Sequence, residues 1–177
     1  MADVLIKELL DRNKSSLATY TPPVRIKEIV AHMPPGQGMI FIVSCADARI
    51  NPNEFLGLKH GEAQVIRNAG GRAMDAFRSL QVMGTIIPIS LVVVVHHSDC
   101  GGLNTTDDEV RSKLSKRAPT HAHEVQDTVF GTFRDIGLDE SIRQDVETIK
   151  NWAFLPQEAK VLGYAFDIET GIVREVI

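Results

Sequence analysis

Continuous apolar runs, rather than alternating apolar and polar positions, mark the clearest strands of this 177-residue chain. The runs at 39–43 and 91–95 consist almost entirely of aliphatic residues, and a further strand is predicted at 63–67. Continuous runs of this kind are typical of parallel strands whose two faces are both covered. Apolar positions at three- and four-residue spacing predict helices at 4–17 and 24–33, before the first of these strands, and at 75–84, between the strands at 63–67 and 91–95.

Capping residues and turn residues predict the ends of the remaining helices and strands. Asn51 followed by Pro52 predicts a helix start, and Thr106 before three acidic residues predicts another, running to residue 116. A clear helix pattern covers 139–152, and strands at 160–168 and 172–176 are joined by a short turn. The pattern fades over 118–132 and predicts no regular element there.

This order of elements predicts one α/β domain over residues 1–177. Strands that alternate with helices form a mostly parallel central sheet flanked by helices, and the last two strands add an antiparallel hairpin at its C-terminal edge. A chain of this length buries a core large enough to be stable without disulfides.

Composition and charge exclude several kinds of partner. Hydrophobic residues make up 44% of the chain and charged residues 24%, and no stretch is apolar enough to cross a bilayer, so we expect no membrane partner. The formal net charge is -4 with no long basic run, which argues against nucleic acid. The first residues lack the pattern of a secretion signal, so we expect a cytoplasmic protein.

Both cysteines of the chain follow directly after predicted strands. Cys45 comes after the run at 39–43, and His97 and Cys100 come after the run at 91–95. Sites in α/β sheets form at such strand ends. Two thiolates and one imidazole are the ligand types of zinc, and three protein ligands leave one position for water, as in catalytic zinc sites. A disulfide between the cysteines is not expected in a reducing compartment.

Asp47 and Arg49 lie in the loop that begins with Cys45. Two thiolates cancel the charge of zinc, so a bound water is harder to ionise, and a carboxylate that accepts its hydrogen bond would orient it. Arg49 can hold Asp47 ionised and away from the metal through a bidentate pair. His96 competes with His97 as a ligand, but successive strand residues point to opposite faces, so we expect His96 to be structural.

Three short segments of the chain together resemble the motifs of one enzyme family. The segments at 45–49, 65–71 and 96–101 read Cys-Ala-Asp-Ala-Arg, Val-Ile-Arg-Asn-Ala-Gly-Gly and His-His-Ser-Asp-Cys-Gly. In this order they closely resemble the β-class carbonic anhydrases, especially the short branch that also includes carbonyl sulfide hydrolases. The likeness extends over about residues 39–109.

The resemblance implies a function. It implies zinc held by Cys45, His97 and Cys100, with the Asp47–Arg49 pair beside the fourth position. It also implies a zinc lyase in which hydroxide attacks carbon dioxide to give bicarbonate. The family likeness further implies a homodimer or an assembly of dimers, with N-terminal helices packing on the partner subunit.

Two positions depart from the family pattern. Some relatives regulate themselves through a bicarbonate site that uses a Trp three residues before the first zinc cysteine, and this chain has Ile42 there. We therefore expect no such control. Short relatives often have a bulky residue where this chain has Gly102, which predicts an altered mouth of the site.

Other functions stay open at this point. Carbonyl sulfide hydrolysis uses the same chemistry as carbon dioxide hydration, and one sequence does not decide between the two substrates. A structural zinc module needs four ligands, and a cysteine hydrolase that uses Cys100 with His97 leaves Cys45 without a role. His121 and His123 lie in the weakly patterned segment, where we expect a solvated loop. Either of them, or His60, could act as a proton shuttle.

Overall fold

The computed structural model describes residues 1–177, which divide into two compact units at 1–32 and 33–177. The first unit contains helix α1 (Ala2–Ser16), a 3₁₀ turn (Leu17–Thr19) and helix α2 (Ile26–His32). No side chain in these three elements is buried. Large apolar side chains are therefore exposed along this unit, among them Val4, Leu5, Ile6, Leu9, Leu10, Leu17 and Val30.

The second unit is built around a five-stranded sheet with the order β2-β1-β3-β4-β5. Its first four strands are parallel, and the last pairs antiparallel with its neighbour at the C-terminal edge. The mostly parallel sheet with an antiparallel edge hairpin is thus confirmed. The strands are β1 (Met39–Cys45), β2 (Ala63–Asn68), β3 (Ile89–His97), β4 (Lys160–Phe166) and β5 (Val173–Glu175).

Four α-helices accompany this sheet: α3 (Pro52–Phe55), α4 (Ala73–Gly84), α5 (Asp107–Arg117) and α6 (Leu138–Lys150). Both predicted caps are present. The Asn51 side chain accepts a hydrogen bond from the backbone N–H of Asn53, and the Thr106 hydroxyl accepts one from that of Glu109. The prediction of no regular element at 118–132 is wrong in part, because Pro119–Val125 forms a 3₁₀ segment that begins at a proline.

Both faces of the central strands are buried, which explains their uniform apolar sequence. Phe41, Val43 and Val92 belong to a core that includes residues of α4 and α6. Ile42 and Val95 belong to a second core on the other face, together with Phe133 and Phe166. No helix combines the length and the apolar character that crossing a membrane requires.

The order of the strands determines where a site can form. The chain passes from β1 to β2 on one side and then to β3 on the other side of β1. At such a reversal the connections diverge, which leaves a crevice beyond the carboxyl ends of the two strands. Cys45 is the last residue of β1 and His97 is the last residue of β3.

Candidate metal centre

The three predicted ligands meet in this crevice. The ligand atoms of Cys45, His97 and Cys100 all lie within 4.8 Å of one another, and all three residues are buried. The two sulfur atoms are 3.7 Å apart. Two Zn–S bonds of about 2.3 Å at a tetrahedral angle separate their sulfurs by about 3.8 Å. The spacing of the thiols therefore fits a single zinc ion.

The imidazole of His97 is oriented for metal binding. Its Nδ1 lies 2.8 Å from the backbone carbonyl oxygen of Ser98, a contact in which the ring nitrogen must donate. The proton on Nδ1 leaves a lone pair on Nε2, which is buried and has no hydrogen-bond partner in the protein. A buried nitrogen acceptor that has no hydrogen-bond partner raises the free energy of the folded protein. Zinc held by this nitrogen and the two thiols would satisfy it, so the residues present fit the metal.

The contact between the two thiols shifts their pKa values in opposite directions. The hydrogen bond with Cys100 holds the pKa of Cys45 well below its usual value, although burial opposes this. The same hydrogen bond, together with burial, raises the pKa of Cys100. Because zinc binds cysteines as thiolates, binding the metal through both sulfurs has to release any proton that the pair still carries.

A carboxylate lies beside the ligand cluster and is held by an arginine. Arg49 donates to Asp47 from its backbone N–H at 2.9 Å, from Nε at 3.1 Å and from Nη2 at 2.7 Å. These hydrogen bonds, with the charge of the guanidinium, keep the pKa of Asp47 well below its ordinary range. Asp47 Oδ2 is 3.9 Å from Nε2 of His97. The carboxylate is thus ionised, next to the ligands, and engaged by Arg49 at both oxygens.

Asp99 is a second partner of the same arginine. Its place in the sequence predicts a loop-capping acid, but its Oδ2 accepts from Nη1 of Arg49 at 2.6 Å. Its backbone has φ of 53°, a left-handed conformation that Asp and Asn tolerate better than other non-glycine residues. Arg49 therefore spans from the loop after β1 to the turn between His97 and Cys100.

Arg67 fixes the loop that carries Cys45 and Asp47, a role that sequence reasoning missed. Its guanidinium donates to three backbone carbonyl oxygens, those of Cys45 at 2.9 Å, Asp47 at 2.6 Å and Ile50 at 2.8 Å. The available signal was a charged residue near the end of a strand beside the motif. Three hydrogen bonds from one rigid cation leave this loop little freedom to shift.

The paired glycines after β2 allow the backbone to approach this loop. Gly70 and Gly71 both have φ of 75°, a conformation that glycine adopts without strain. A Cβ atom at Gly71 would lie 3.0 Å from the backbone nitrogen of Cys45, closer than side chains normally come. Only glycine fits there.

His96 points away from the ligands and is structural in its contacts. It is fully buried, its Nδ1 lies 2.8 Å from the Ser141 hydroxyl, and its Nε2 lies 3.2 Å from the Gly71 carbonyl oxygen. Oδ2 of Asp145 lies 3.1 Å from the same Nε2 and 3.0 Å from Nε of Arg72. Neither contact has the geometry of a hydrogen bond, and the contact with Arg72 is an ion pair because a guanidinium is always charged.

The histidines of the weakly patterned segment lie apart from the ligands. Nδ1 of His121 is 2.6 Å from Oε1 of Glu124, and both side chains are exposed. His123 is also exposed. The one group of His, Cys, Asp and Glu side chains able to hold a metal in this chain is the Cys45, His97 and Cys100 cluster.

A cavity of about 400 Å³ opens beside the ligands. Cys45, Asp47 and Cys100 line one side of it, and residues 130–132 line another. The segment that showed no pattern in the sequence therefore contributes to the site. Gly102 also lines the cavity, and the ring of Phe133 packs directly against it.

A methyl group at Gly102 is expected to destabilise the protein. A Cβ there would lie 2.7 Å from Cε1 of Phe133, so the ring or the loop would have to move. We expect Gly102→Ala to lower the free energy of unfolding by about 1–3 kcal/mol, the usual cost of overpacking. Urea denaturation measures this change.

The neighbouring glycine supplies the control for this measurement. A Cβ at Gly101 would meet nothing within 4 Å, and its backbone has no positive φ. Gly101→Ala should therefore leave the unfolding midpoint nearly unchanged. Equal stability of the two variants would show that Phe133 does not pack against Gly102 as described.

The fold and the site together define a class of protein. This is an α/β metal-binding protein whose two thiols and one imidazole lie at the carboxyl ends of two parallel strands, with both cysteines lining a cavity. A three-ligand set of this kind is typical of catalytic rather than structural zinc.

Comparisons with known proteins identify the family. The family model described as carbonic anhydrase matches residues 40–173. Beta-carbonic anhydrase 1 of Mycobacterium tuberculosis is 35% identical over 148 residues, covering 81% of this chain and 85% of that protein. Carbon disulfide hydrolase of an Acidianus species is 26% identical over 190 residues, covering 97% of this chain and 90% of that protein. The chain therefore belongs to the carbonic anhydrase family, in its β class.

Solved structures of this family have the same fold. Carbonic anhydrase from Streptococcus mutans is 32% identical and superimposes with a TM-score of 0.80 over 97% of each chain. Carbonic anhydrase from Glaciozyma antarctica is 34% identical, with a TM-score of 0.78 over 94% of this chain and 95% of that one. The family resemblance predicted from the sequence is confirmed.

Proposed function

We propose that this chain is a zinc-dependent carbonic anhydrase that converts carbon dioxide and water to bicarbonate. In this proposal Cys45, His97 and Cys100 hold the zinc, and Asp47 and Arg49 are the catalytic pair beside it. The observation that carries the proposal is the buried Nε2 of His97, which has no partner and lies among two thiols and an arginine-held carboxylate. The β-class relatives and the open cavity support the same function.

In this proposal the zinc ligands and the Asp47–Arg49 pair have different roles. Zinc bound by the three ligands supplies Lewis acidity, which makes a water molecule a competent nucleophile near neutral pH. Two thiolates offset the charge of the metal, so the water needs a further acceptor to orient it. In this proposal Asp47 accepts that hydrogen bond, and the hydrogen bonds from Arg49 support the proposal because they keep Asp47 ionised.

Hydrolysis of carbonyl sulfide to carbon dioxide and hydrogen sulfide is the second candidate function. The carbon disulfide hydrolases among the relatives favour it, because they act on a linear molecule of the same shape that contains sulfur. A paired assay on one preparation distinguishes the two functions. It follows acidification by carbon dioxide and hydrogen sulfide release from carbonyl sulfide, and we expect faster turnover of carbon dioxide. Faster turnover of carbonyl sulfide would reverse the assignment.

Metal content separates these two enzymes from a structural zinc module and from a cysteine hydrolase. We expect about one zinc per chain in the active protein, since the ligand group offers three donors and leaves one position free. A structural zinc module would bind the metal without either activity. A cysteine hydrolase would be active without metal.

We also propose that the chain forms a homodimer or an assembly of dimers through its first unit. Leu5 and Leu9 in α1 are 56% and 54% exposed. Together with the other exposed apolar side chains of this unit, they form an apolar surface whose contact with water is unfavourable in free energy. A second copy of the chain would bury it, as the family resemblance implies.

The double variant Leu5→Glu/Leu9→Glu tests this assembly. We expect the wild type to have at least twice the chain mass of 19.5 kDa by light scattering, and the variant to shift toward the single chain mass. Lys7→Glu, on the same helix, is the control for added negative charge and should keep the wild-type mass. A wild type with the mass of one chain would contradict the proposal.

We also propose that the protein is cytoplasmic, a compartment whose reducing conditions keep thiol ligands available for zinc. Cell fractionation tests it.

The expectation of one domain over residues 1–177 also stays a prediction, which limited proteolysis at the boundary near residue 32 would test.

A further inference from the structure

Part of the cavity wall is formed by a segment with no recognisable motif. Phe130, Gly131 and Thr132 line it, together with Val110 of α5. Phe130 is half-buried, whereas the preceding Val129 is 66% exposed and does not line the cavity. The wall that a small substrate would meet is therefore largely apolar.

Asp107 holds this segment in place. Its Oδ1 accepts hydrogen bonds from the backbone N–H and the hydroxyl of Thr132, at 3.0 and 2.6 Å, and its Oδ2 accepts from the backbone N–H of Phe130 at 2.8 Å. Burial alone would raise the pKa of Asp107, but the hydrogen bonds from Thr132 and Phe130 keep it below its usual value. The carboxylate is thus ionised and joins the start of α5 to the cavity wall.

The other end of the segment is held by packing. The ring of Phe133 lies against Gly70 and Gly102, where a Cβ atom would approach it to 3.1 and 2.7 Å. It also stacks on the ring of His96 with centroids 5.3 Å apart, and its backbone N–H donates to the Gly102 carbonyl oxygen at 2.8 Å. With both ends fixed, the position of Phe130 is set by the fold.

On the basis of the proposed function, we propose that Phe130 determines which substrates the cavity admits, and that Asp107 is the residue that positions it. Phe130 forms part of the cavity wall, so its side chain takes up space that a substrate with a larger atom would need. A sulfur atom is larger than an oxygen atom, so a smaller or displaced side chain at this position favours carbonyl sulfide and carbon disulfide. Selectivity here follows from shape, because the wall offers the substrate few polar partners.

Two variants with matched controls test this role. Phe130→Ala removes the ring, with Val129→Ala as control for truncating an exposed neighbour. Asp107→Asn places an amide donor where two N–H groups and a hydroxyl need acceptors, with Asp108→Asn as control. Asp108 is also in the first turn of α5, but its side chain is 94% exposed and pairs with Arg111. Its removal should therefore have little effect.

The measured quantity is the ratio of kcat/KM for carbonyl sulfide to kcat/KM for carbon dioxide on one preparation. Unfolded protein lowers both values equally, so a purely structural effect leaves this ratio unchanged. We expect the ratio to rise about tenfold in Phe130→Ala, the effect typical of changing the space in an apolar pocket. Asp107→Asn should raise it in the same direction, with zinc content unchanged and both controls near the wild-type ratio.

Each outcome decides the matter. Wild-type ratios in both Phe130→Ala and Asp107→Asn would overturn the inference while leaving the proposed function intact. A changed ratio in Phe130→Ala alone would overturn the role of Asp107. If Asp107→Asn does not fold, Thr132→Val replaces it, since it removes only one of the three hydrogen bonds. A zinc-loaded wild type without activity on either substrate would overturn the proposed function itself.

Discussion

Replacing Cys45 by serine is expected to abolish both zinc binding and catalysis. The serine hydroxyl is a poor zinc ligand, and the two remaining protein ligands are too few to hold the metal tightly. We expect zinc content to fall far below one per chain and kcat/KM for carbon dioxide hydration to fall by about a thousandfold or more. Metal analysis and stopped-flow hydration assays on the same sample measure both changes.

His121→Gln is the control for this experiment. His121 is an exposed histidine outside the ligand cluster, paired with Glu124, and its loss should change neither zinc content nor turnover. A Cys45→Ser protein that keeps one zinc and full turnover would contradict the proposed ligand set. Loss of zinc in His121→Gln would place the metal in a different part of the chain.

Replacing Asp47 by alanine is expected to separate metal binding from turnover. The three zinc donors are untouched, so zinc content should stay near one per chain. Without the carboxylate, nothing orients the attacking water, and we expect kcat to fall by about 100- to 10,000-fold, the usual contribution of a positioned acid or base. Zinc analysis and stopped-flow kinetics on one preparation distinguish this from a loss of folding.

Asp99→Asn supplies the matched control. It removes the other carboxylate that pairs with Arg49 and keeps a residue that tolerates the φ of 53° at this position. Arg49 would still hold Asp47, so we expect less than a tenfold loss of kcat. Retained turnover in Asp47→Ala would refute its orienting role. An equal loss in both variants would mean that the position of Arg49, rather than the carboxylate of Asp47, controls the rate.

The arrangement of strands and ligands could be predicted because it follows from local patterns. Continuous apolar runs identify β1 and β3 as buried strands, and parallel strands bring their carboxyl ends to the same edge of a sheet. Cys45 and His97, which end those strands, and Cys100, which follows β3 closely, therefore had to lie close together. The structure brings them together. Their roles as zinc ligands stay a prediction until metal is measured.

Interactions between distant segments could not be predicted in the same way. Asp107 looks like an ordinary acid in the first turn of a helix, and only the folded chain shows that it binds the backbone of Phe130 and Thr132. Arg67 likewise has no local partner in the sequence that would indicate its contacts with three carbonyl oxygens. Such pairings depend on tertiary packing, which one sequence does not encode as a pattern.

The predicted ends of the helices and strands were less accurate than their predicted types. Helix α4 begins at Ala73, before the predicted Asp75, and α6 ends at Lys150, before the predicted Trp152. The 3₁₀ segment Pro119–Val125 was missed because its side chains are mostly polar and exposed, so no apolar periodicity marks it. Apolar periodicity detects elements that bury one face, and this segment buries none of its residues.

Removal and return of zinc tests the central proposal most directly. Carbon dioxide hydration is measured by stopped flow on one preparation as purified, after a chelator has stripped the metal, and after zinc is added back. We expect activity to disappear with the metal and to return in proportion to bound zinc, reaching its full value at about one zinc per chain. A stripped protein that hydrates carbon dioxide at the original rate, or a fully zinc-loaded protein that does not hydrate it, would contradict the proposal.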